Sequence, residues 1–135
     1  MSQENVEIVR RIYEELGQGN LSAVPEFYDP EILVEGFNYS NPTEHFVGRG
    51  IDAIADYVRA FLSEFRDYRI IGEEFSALNG DHVFVRGHHA AIGRESGVPV
   101  RDPAHALWTL REGRVVELRI GRDRKQLFDA AGLSE

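Results

Sequence analysis

Residues 105–133 read HALWTLREGRVVELRIGRDRKQLFDAAGL, and this stretch decides the fold class. Two apolar runs, over residues 100–110 and 114–122, flank the turn pair Glu112-Gly113. A link this short joins antiparallel neighbours, so the stretch predicts a β-hairpin. A helix is expected to follow over residues 123–131, because Asp123 can cap its first turn. The pattern therefore predicts a sheet that is followed by a short helix.

The preceding sequence predicts more strands and an N-terminal group of helices. Amphipathic stripes indicate helices over residues 3–16 and 51–65, with a short helix between residues 20 and 28. Strands are expected over residues 31–37, 68–78 and 82–92, and turns at Asn79-Gly80 and Ser96-Gly97. Residues 36–50 combine turn-forming residues with aromatic ones and are predicted to form a loop.

These elements predict one α+β domain over residues 1–135. Strands of about ten residues reach about 33 Å, which is more than the modest helices can cover. We therefore expect a strongly curved, mixed or antiparallel sheet that wraps around the N-terminal helices as a cone and leaves a hollow for a small molecule. Strand 100–110 is apolar on both faces. We expect its Trp108 on the outer face, in a homodimer contact.

Composition excludes several classes of function. The chain has 15 Lys and Arg residues against 23 Asp and Glu residues, a formal net charge of -8, which repels nucleic acid and anionic membranes. It has no cysteine, and its first residues lack the apolar core of a secretory signal. No run approaches the length of a membrane span. We expect a cytoplasmic protein with no nucleic-acid or membrane partner.

Three segments carry a resemblance to a known family. They are ENVEIVRRIYEELGQGNLSAVPEFYDP at residues 4–30, VGRGIDAI at residues 47–54, and the stretch at residues 105–133. Together with the order of elements, they resemble the nuclear transport factor 2-like superfamily, and within it the SnoaL-like branch of polyketide cyclases and ketosteroid isomerases. The resemblance implies a cone-shaped, cystatin-like α+β fold and a homodimer through the outer face of the sheet. It does not imply one activity, because members of this superfamily include enzymes and proteins without catalysis.

The resemblance also indicates where catalytic groups would lie. The hydrogen-bonding tyrosine of the ketosteroid isomerases falls at Ile12, and their general base falls at Gly36, or at Glu35 if the alignment slips by one residue. Their second acid maps onto His105. The aspartate of the polyketide cyclases falls at Ile120. The known chemistry of these relatives therefore lacks its usual bases here.

The candidate catalytic residues are His105, as a proton carrier, and Glu35, as its partner or an independent base. An imidazole midway along an inner strand can titrate near neutrality and transfer protons. The alternative is a buried histidine that is hydrogen-bonded within the sheet. A structure in which His105 does not face the hollow would remove this proton carrier from the enzyme hypothesis.

Further residues are candidates for ligand binding. His88-His89 is not expected to bind a metal, because neighbouring strand residues point to opposite faces. No cofactor motif is visible, since the Gly-Arg-Gly at residues 48–50 lacks phosphate-loop spacing. Aromatic and imidazole side chains from the long helix, the loop and the strands are expected to line the hollow: Tyr57, Phe61, Phe37, Tyr39, His45 and His89.

Two hypotheses of function follow. The first is an enzyme that carries out cofactor-independent acid–base chemistry, as an isomerase, cyclase or dehydratase, on a small and largely apolar molecule. The second is a ligand-binding or dimerisation module without turnover. Retention of His105 favours the first hypothesis, and the residues at positions 12, 36 and 120 favour the second.

Overall fold

A computed structural model describes residues 2–20, 25–37, 45–78 and 80–134. The helices are α1 (Ser2–Gly17), α2 (Ile51–Leu62) and α3 (Arg124–Ala130), with one 3-10 turn at Pro25–Phe27. The strands are, in chain order, β1 (Tyr28–Phe37), β2 (His45–Arg49), β3 (Phe65–Leu78), β4 (His82–Gly93), β5 (Pro99–Pro103), β6 (His105–Arg111) and β7 (Arg114–Gly121). The predicted α+β fold is confirmed.

The strands form one mixed sheet with the order β2-β1-β7-β6-β4-β3, and β5 pairs with β4 beyond the end of β6. β1 and β7 are parallel, whereas the other pairs are antiparallel. The register shifts twice along β3 and once along β1. Such irregularities bend strands, which is consistent with the predicted curvature. The Glu112-Gly113 turn joins β6 to β7, and both of its residues have positive φ.

Several boundaries differ from the sequence prediction. The strand expected over residues 100–110 is divided at Ala104, whose N–H donates to Gly87 O. β2 lies inside the predicted loop. Its glycine favoured a loop in the sequence prediction, but these residues form a strand that pairs with β1. β1 begins at Tyr28, three residues before its predicted start.

Two apolar clusters lie on opposite faces of the sheet. The larger one packs α1 and α2 on the inner face and includes Val9, Ile32 and Val85, each fully or almost fully buried. The smaller one packs α3 on the outer face against Phe84 and Leu107. Part of the apolar outer face is therefore covered by the chain's own last helix. No helix in the described ranges is long and apolar enough to cross a membrane.

Candidate functional site

The inner face of the sheet, α1 and α2 enclose an apolar cavity of about 60 Å³. This volume holds a few water molecules, so a ligand with a ring would also occupy the wider space beside it. The described residues that line the cavity carry no charge, and four of them are tyrosines. They are Tyr13, Leu16, Tyr28, Val34, Ile54, Tyr57, Val58, Phe61, Tyr68, Ile70, Ala104, Ala106, Trp108, Leu118 and Ile120.

A wider and more open depression of about 630 Å³ adjoins this cavity. Tyr28, Ile54, Val58 and Tyr68 line both spaces. Polar residues are added in the outer space, where Gln18, Asn20, Arg59, Asp67 and Arg69 form part of the wall. The site thus has an apolar inner part and a polar outer part, which suits a ligand with one apolar end.

Trp108 lies on the inner face of β6, and its expected position on the outer face is wrong. The indole Nε1 donates a hydrogen bond of 3.2 Å to the Tyr13 hydroxyl, and the two rings meet edge to face with centroids 5.7 Å apart. Burial raises the pKa of Tyr13, so this hydroxyl stays neutral at neutral pH. α1 is therefore held against the cavity wall through a polar contact between two aromatic side chains.

Tyr57 occupies the space in front of Gly36. A Cβ atom placed on Gly36 would lie 2.3 Å from Tyr57 Cε2 and 2.7 Å from its hydroxyl oxygen. The ring of Tyr57 also packs against Phe61, with centroids 5.2 Å apart. Burial raises the pKa of Tyr57 to about 12, so its hydroxyl is neutral at neutral pH. The volume that a general base would take at this position is filled by a tyrosine from α2.

Tyr68 and His89 form a buried hydrogen bond across β3 and β4. The distance between Tyr68 Oη and His89 Nδ1 is 2.9 Å, and the residues are 8% and 5% exposed. The opposite nitrogen, Nε2, lies 3.9 Å from Asp102 Oδ2 of β5. Burial lowers the pKa of His89, although the Asp102 carboxylate opposes this shift. His89 is therefore a neutral imidazole in contact with a cavity-lining tyrosine.

His105 does not line the cavity. Its neighbours Ala104 and Ala106 do, and strand alternation turns His105 to the outer face. There its ring packs near Phe84, with centroids 5.9 Å apart, and its Nδ1 accepts the Gly87 N–H at 3.2 Å. Burial and the nearby Arg86 guanidinium lower its pKa. This placement corrects the expectation that His105 faces the hollow.

Glu35 also lies on the outer face, because the adjacent Val34 lines the cavity. Arg119 Nε donates to Glu35 Oε1 at 3.1 Å, and Arg119 Nη1 donates to Glu117 Oε1 at 2.6 Å. The two expected catalytic residues therefore lie on the side of the sheet opposite the cavity, and each has its own local partner.

The candidate ligand-binding residues divide into three groups. Tyr57 and Phe61 line the cavity, and His89 packs behind Phe61 with ring centroids 6.0 Å apart. Phe37 lies on the outer face, packed with the cluster beneath α3, because it alternates with the inward-facing Gly36. Tyr39 lies outside the described residues, as does the side chain of His45, whose backbone belongs to β2.

The positions suggested by the relatives' chemistry carry no acid in this cavity. Gly36 faces inward, and Ile120 lines the wall, as the resemblance implies. The inward positions on either side of His105 are alanines. Ile12 is buried in the core, whereas its neighbour Tyr13 reaches the cavity. Sequence reasoning missed most of the wall, including its aromatic residues Tyr13, Tyr28, Tyr68 and Trp108. The alternation of Tyr68 with Ile70 could have indicated Tyr68.

Comparison with solved structures shows which fold the chain has. A nuclear transport factor 2-like protein of unknown function from Burkholderia pseudomallei K96243 has a TM-score of 0.74 at 19% identity, over 93% of this chain and 95% of that chain. A protein provisionally described as a SnoaL-like polyketide cyclase from Jannaschia sp. CCS1 has a TM-score of 0.72 at 22% identity, over 98% and 94%. A provisionally described isomerase from Bacillus subtilis has a TM-score of 0.70 at 18% identity, over 98% and 95%. The fold is that of a nuclear transport factor 2-like protein.

The family follows from the sequence of the chain itself. Residues 9–118 match the family model of the SnoaL-like domain. The chain therefore belongs to the SnoaL-like family, as the resemblance predicted. No curated protein matches it.

Proposed function

We propose that this SnoaL-like protein binds a small, largely apolar molecule in the cavity between the sheet, α1 and α2. The observation that carries the proposal is a cavity wall whose described residues carry no charge and combine aliphatic side chains with aromatic ones, four of them tyrosines. Burial of an apolar ring there is favourable, and a neutral hydroxyl can orient one polar group of the ligand. The adjoining polar depression would hold the more polar end.

Trp108 provides a direct test of this proposal. It is the only tryptophan of the chain, it lines the cavity and it is 2% exposed. Titration with phenol, acetophenone and β-tetralone is expected to change its fluorescence in a saturable way. The variant Ala106→Leu, which adds three carbon atoms to the wall, is expected to weaken binding at least about 10-fold, because it fills the space for the ligand.

A matched variant controls for unspecific effects of the added leucine. Ala130 lies exposed at the end of α3 and is distant from the cavity wall, so Ala130→Leu should bind as the wild type does. Circular dichroism would verify that both variants are folded. Equal, non-saturable responses in all three proteins would contradict binding in the cavity.

For catalysis, the location of the acidic groups bears on the choice between the two hypotheses. We infer that any turnover is cofactor-independent acid–base chemistry of the isomerase, cyclase or dehydratase kind. Among the described residues of the inner cavity wall no carboxylate is available as a base, since Glu35 lies on the other face and Asp67 belongs to the outer depression. This arrangement favours binding as the primary function. A catalytic role would rest on the tyrosines and on His89 behind Tyr68.

We further propose that the chain forms a homodimer through the outer face of the sheet. A two-fold contact must be complementary to itself, and a patch that carries charges of both signs can meet this requirement. Glu73 lies on this face within 2.9 Å of Arg86, and its other oxygen is 2.8 Å from His88 Nδ1. Sedimentation equilibrium is expected to give twice the mass of one chain, and Arg86→Glu is expected to shift the mass toward one chain. A wild-type protein with the mass of one chain would overturn this assignment.

A further inference from the structure

We propose that Tyr68, His89 and Asp102 form a proton-transfer chain that leads from the cavity to the protein surface, and that it acts on a ligand with a carbonyl group. This inference rests on the proposed function, because it requires that a small molecule occupies the cavity. Tyr68 would be the catalytic residue, since it lines the space that the ligand enters. His89 and Asp102 would be positioning residues that act through Tyr68.

The three side chains follow one another from the cavity wall toward the protein surface. Tyr68 Oη lies 2.9 Å from His89 Nδ1, and His89 Nε2 lies 3.9 Å from Asp102 Oδ2. The Asp102 side chain is 42% exposed, whereas that of His89 is 7% exposed. Tyr68 and His89 are therefore joined by a hydrogen bond, whereas the partly exposed Asp102 carboxylate acts on the imidazole from 3.9 Å through its charge.

The carboxylate determines which nitrogen of His89 carries the proton. A neutral imidazole has one donor nitrogen and one acceptor nitrogen. An N–H directed toward a carboxylate is favourable, whereas a lone pair directed toward it is not. His89 therefore carries its proton on Nε2, next to Asp102. Nδ1 is then the acceptor, and the Tyr68 hydroxyl donates to it.

The surroundings of His89 keep it neutral and ready to accept a proton. Asp102 faces it from β5, and Arg122, which follows β7, lies with Nη2 4.0 Å from the other oxygen of Asp102. His88 precedes it on β4, and Phe61 of α2 covers its ring. Burial outweighs the attraction of Asp102. The positive charge of an imidazole that has accepted a proton is then stabilised by the Asp102 carboxylate, 3.9 Å away.

The reaction step that the Tyr68–His89 pair supports is removal of a proton from a ligand carbon atom next to a carbonyl group. The C–H bond of the ligand breaks, and its electron pair forms the carbon–carbon double bond of an enolate, whose charge resides on oxygen. The proton passes to Tyr68 Oη while the hydroxyl proton of Tyr68 passes to His89 Nδ1. The imidazolium is stabilised by Asp102. Return of both protons, with delivery to the same or another carbon, restores the protein without any cofactor.

Proton exchange of β-tetralone in heavy water tests the proposed proton-transfer chain. This neutral ketone has an acidic C–H next to its carbonyl group, and proton NMR follows the loss of that signal. The wild-type protein is expected to accelerate exchange above the buffer rate. Tyr68→Phe is expected to reduce the acceleration at least about 100-fold, because it removes the group that accepts the proton.

Asp102→Asn tests the positioning role and changes a side chain that is 42% exposed. The rate should rise with pH as His89 loses its proton, and loss of the carboxylate should move the midpoint of that profile to lower pH. A merely structural role of Asp102 would leave the midpoint in place. Asp129→Asn, on the exposed face of α3, is the matched control and should keep the wild-type rate and profile.

The outcomes separate this inference from the proposed function. If β-tetralone changes Trp108 fluorescence but its exchange is not accelerated, or is accelerated equally by Tyr68→Phe, the proton-transfer chain is overturned and binding stands. An unchanged pH midpoint in Asp102→Asn overturns the role of Asp102. If no compound in the panel alters Trp108 fluorescence, the proposed function fails and this inference fails with it.

Discussion

Replacement of Gly87 by alanine is expected to lower the free energy of unfolding by about 2 kcal/mol or more. A Cβ atom at this position would lie 2.4 Å from the carbonyl oxygen of Ile71 and 3.2 Å from that of Ala104. Both neighbours are backbone atoms, of Ile71 in β3 and of Ala104 between β5 and β6, and Gly87 O itself accepts the Ala104 N–H at 2.9 Å. Relief of the overlap would therefore separate strands rather than rotate a side chain.

Gly17→Ala is the matched control for this prediction. Gly17 is the last residue of α1, and a Cβ atom there would be 3.6 Å from Ile71 Cδ1, an ordinary contact. Alanine at this position should leave stability unchanged or raise it by up to about 1 kcal/mol, because it restricts the unfolded chain. Urea unfolding of both variants provides the measurement. Equal stability of the two variants would contradict the close approach of β3 and β4 at Gly87.

Acidification from about pH 7.5 to about pH 5.5 is expected to destabilise the protein, mainly through His89 and His105. Burial is the main cause that lowers the pKa of each imidazole below its usual value of 6.5. Below pH 6.5 the unfolded state consequently binds more protons than the folded state, so stability is lost as the pH falls. One such group changes stability by at most about 1.4 kcal/mol per pH unit.

The variant His89→Gln isolates one of these contributions. Glutamine can accept the hydrogen bond from Tyr68 but does not titrate, so the loss of stability between the two pH values should be smaller than in the wild type. Urea unfolding at both pH values measures this difference within each protein, which removes the general effect of the substitution. A loss as large as that of the wild type would contradict a buried, neutral His89.

The sequence predicted the fold because its local patterns agree with one another. Turn pairs such as Glu112-Gly113 connect runs with strand periodicity, and the structure contains these strands in the expected order. The stripe that begins at Ile51 became α2, which packs Tyr57 and Phe61 into the cavity wall as expected. The order of helices and strands, and with it the family, therefore follows from patterns along the chain.

The same patterns could not predict which face of each strand points toward the cavity. Within β6, Ala106 and Trp108 share one face, while His105 and Leu107 share the other. Leu107 is fully buried beneath α3, so both faces of this strand are apolar, and periodicity alone does not indicate which face is the inner one. The expectation reversed the two faces. His105 was consequently expected in the cavity, and Trp108 at a dimer contact.

The Tyr68–His89 pair depends on the register between β3 and β4, which local patterns along the chain do not determine. The two residues come from neighbouring strands whose register shifts between Arg66 and Arg69, next to Tyr68. Sequence reasoning placed His89 near a ligand but had no means to identify its partner. The partner is determined by the bend of β3 and by the ring of Phe61, which covers His89.

A crystal structure determined under xenon pressure tests the central claim most directly. Xenon enters enclosed apolar cavities of this kind, so a single strong site is expected in contact with Ala106, Trp108 and Phe61. The same experiment on Ala106→Leu should show that site lost or strongly reduced. A wild-type structure in which side chains fill this space, with no xenon between the sheet and the two N-terminal helices, would contradict the account.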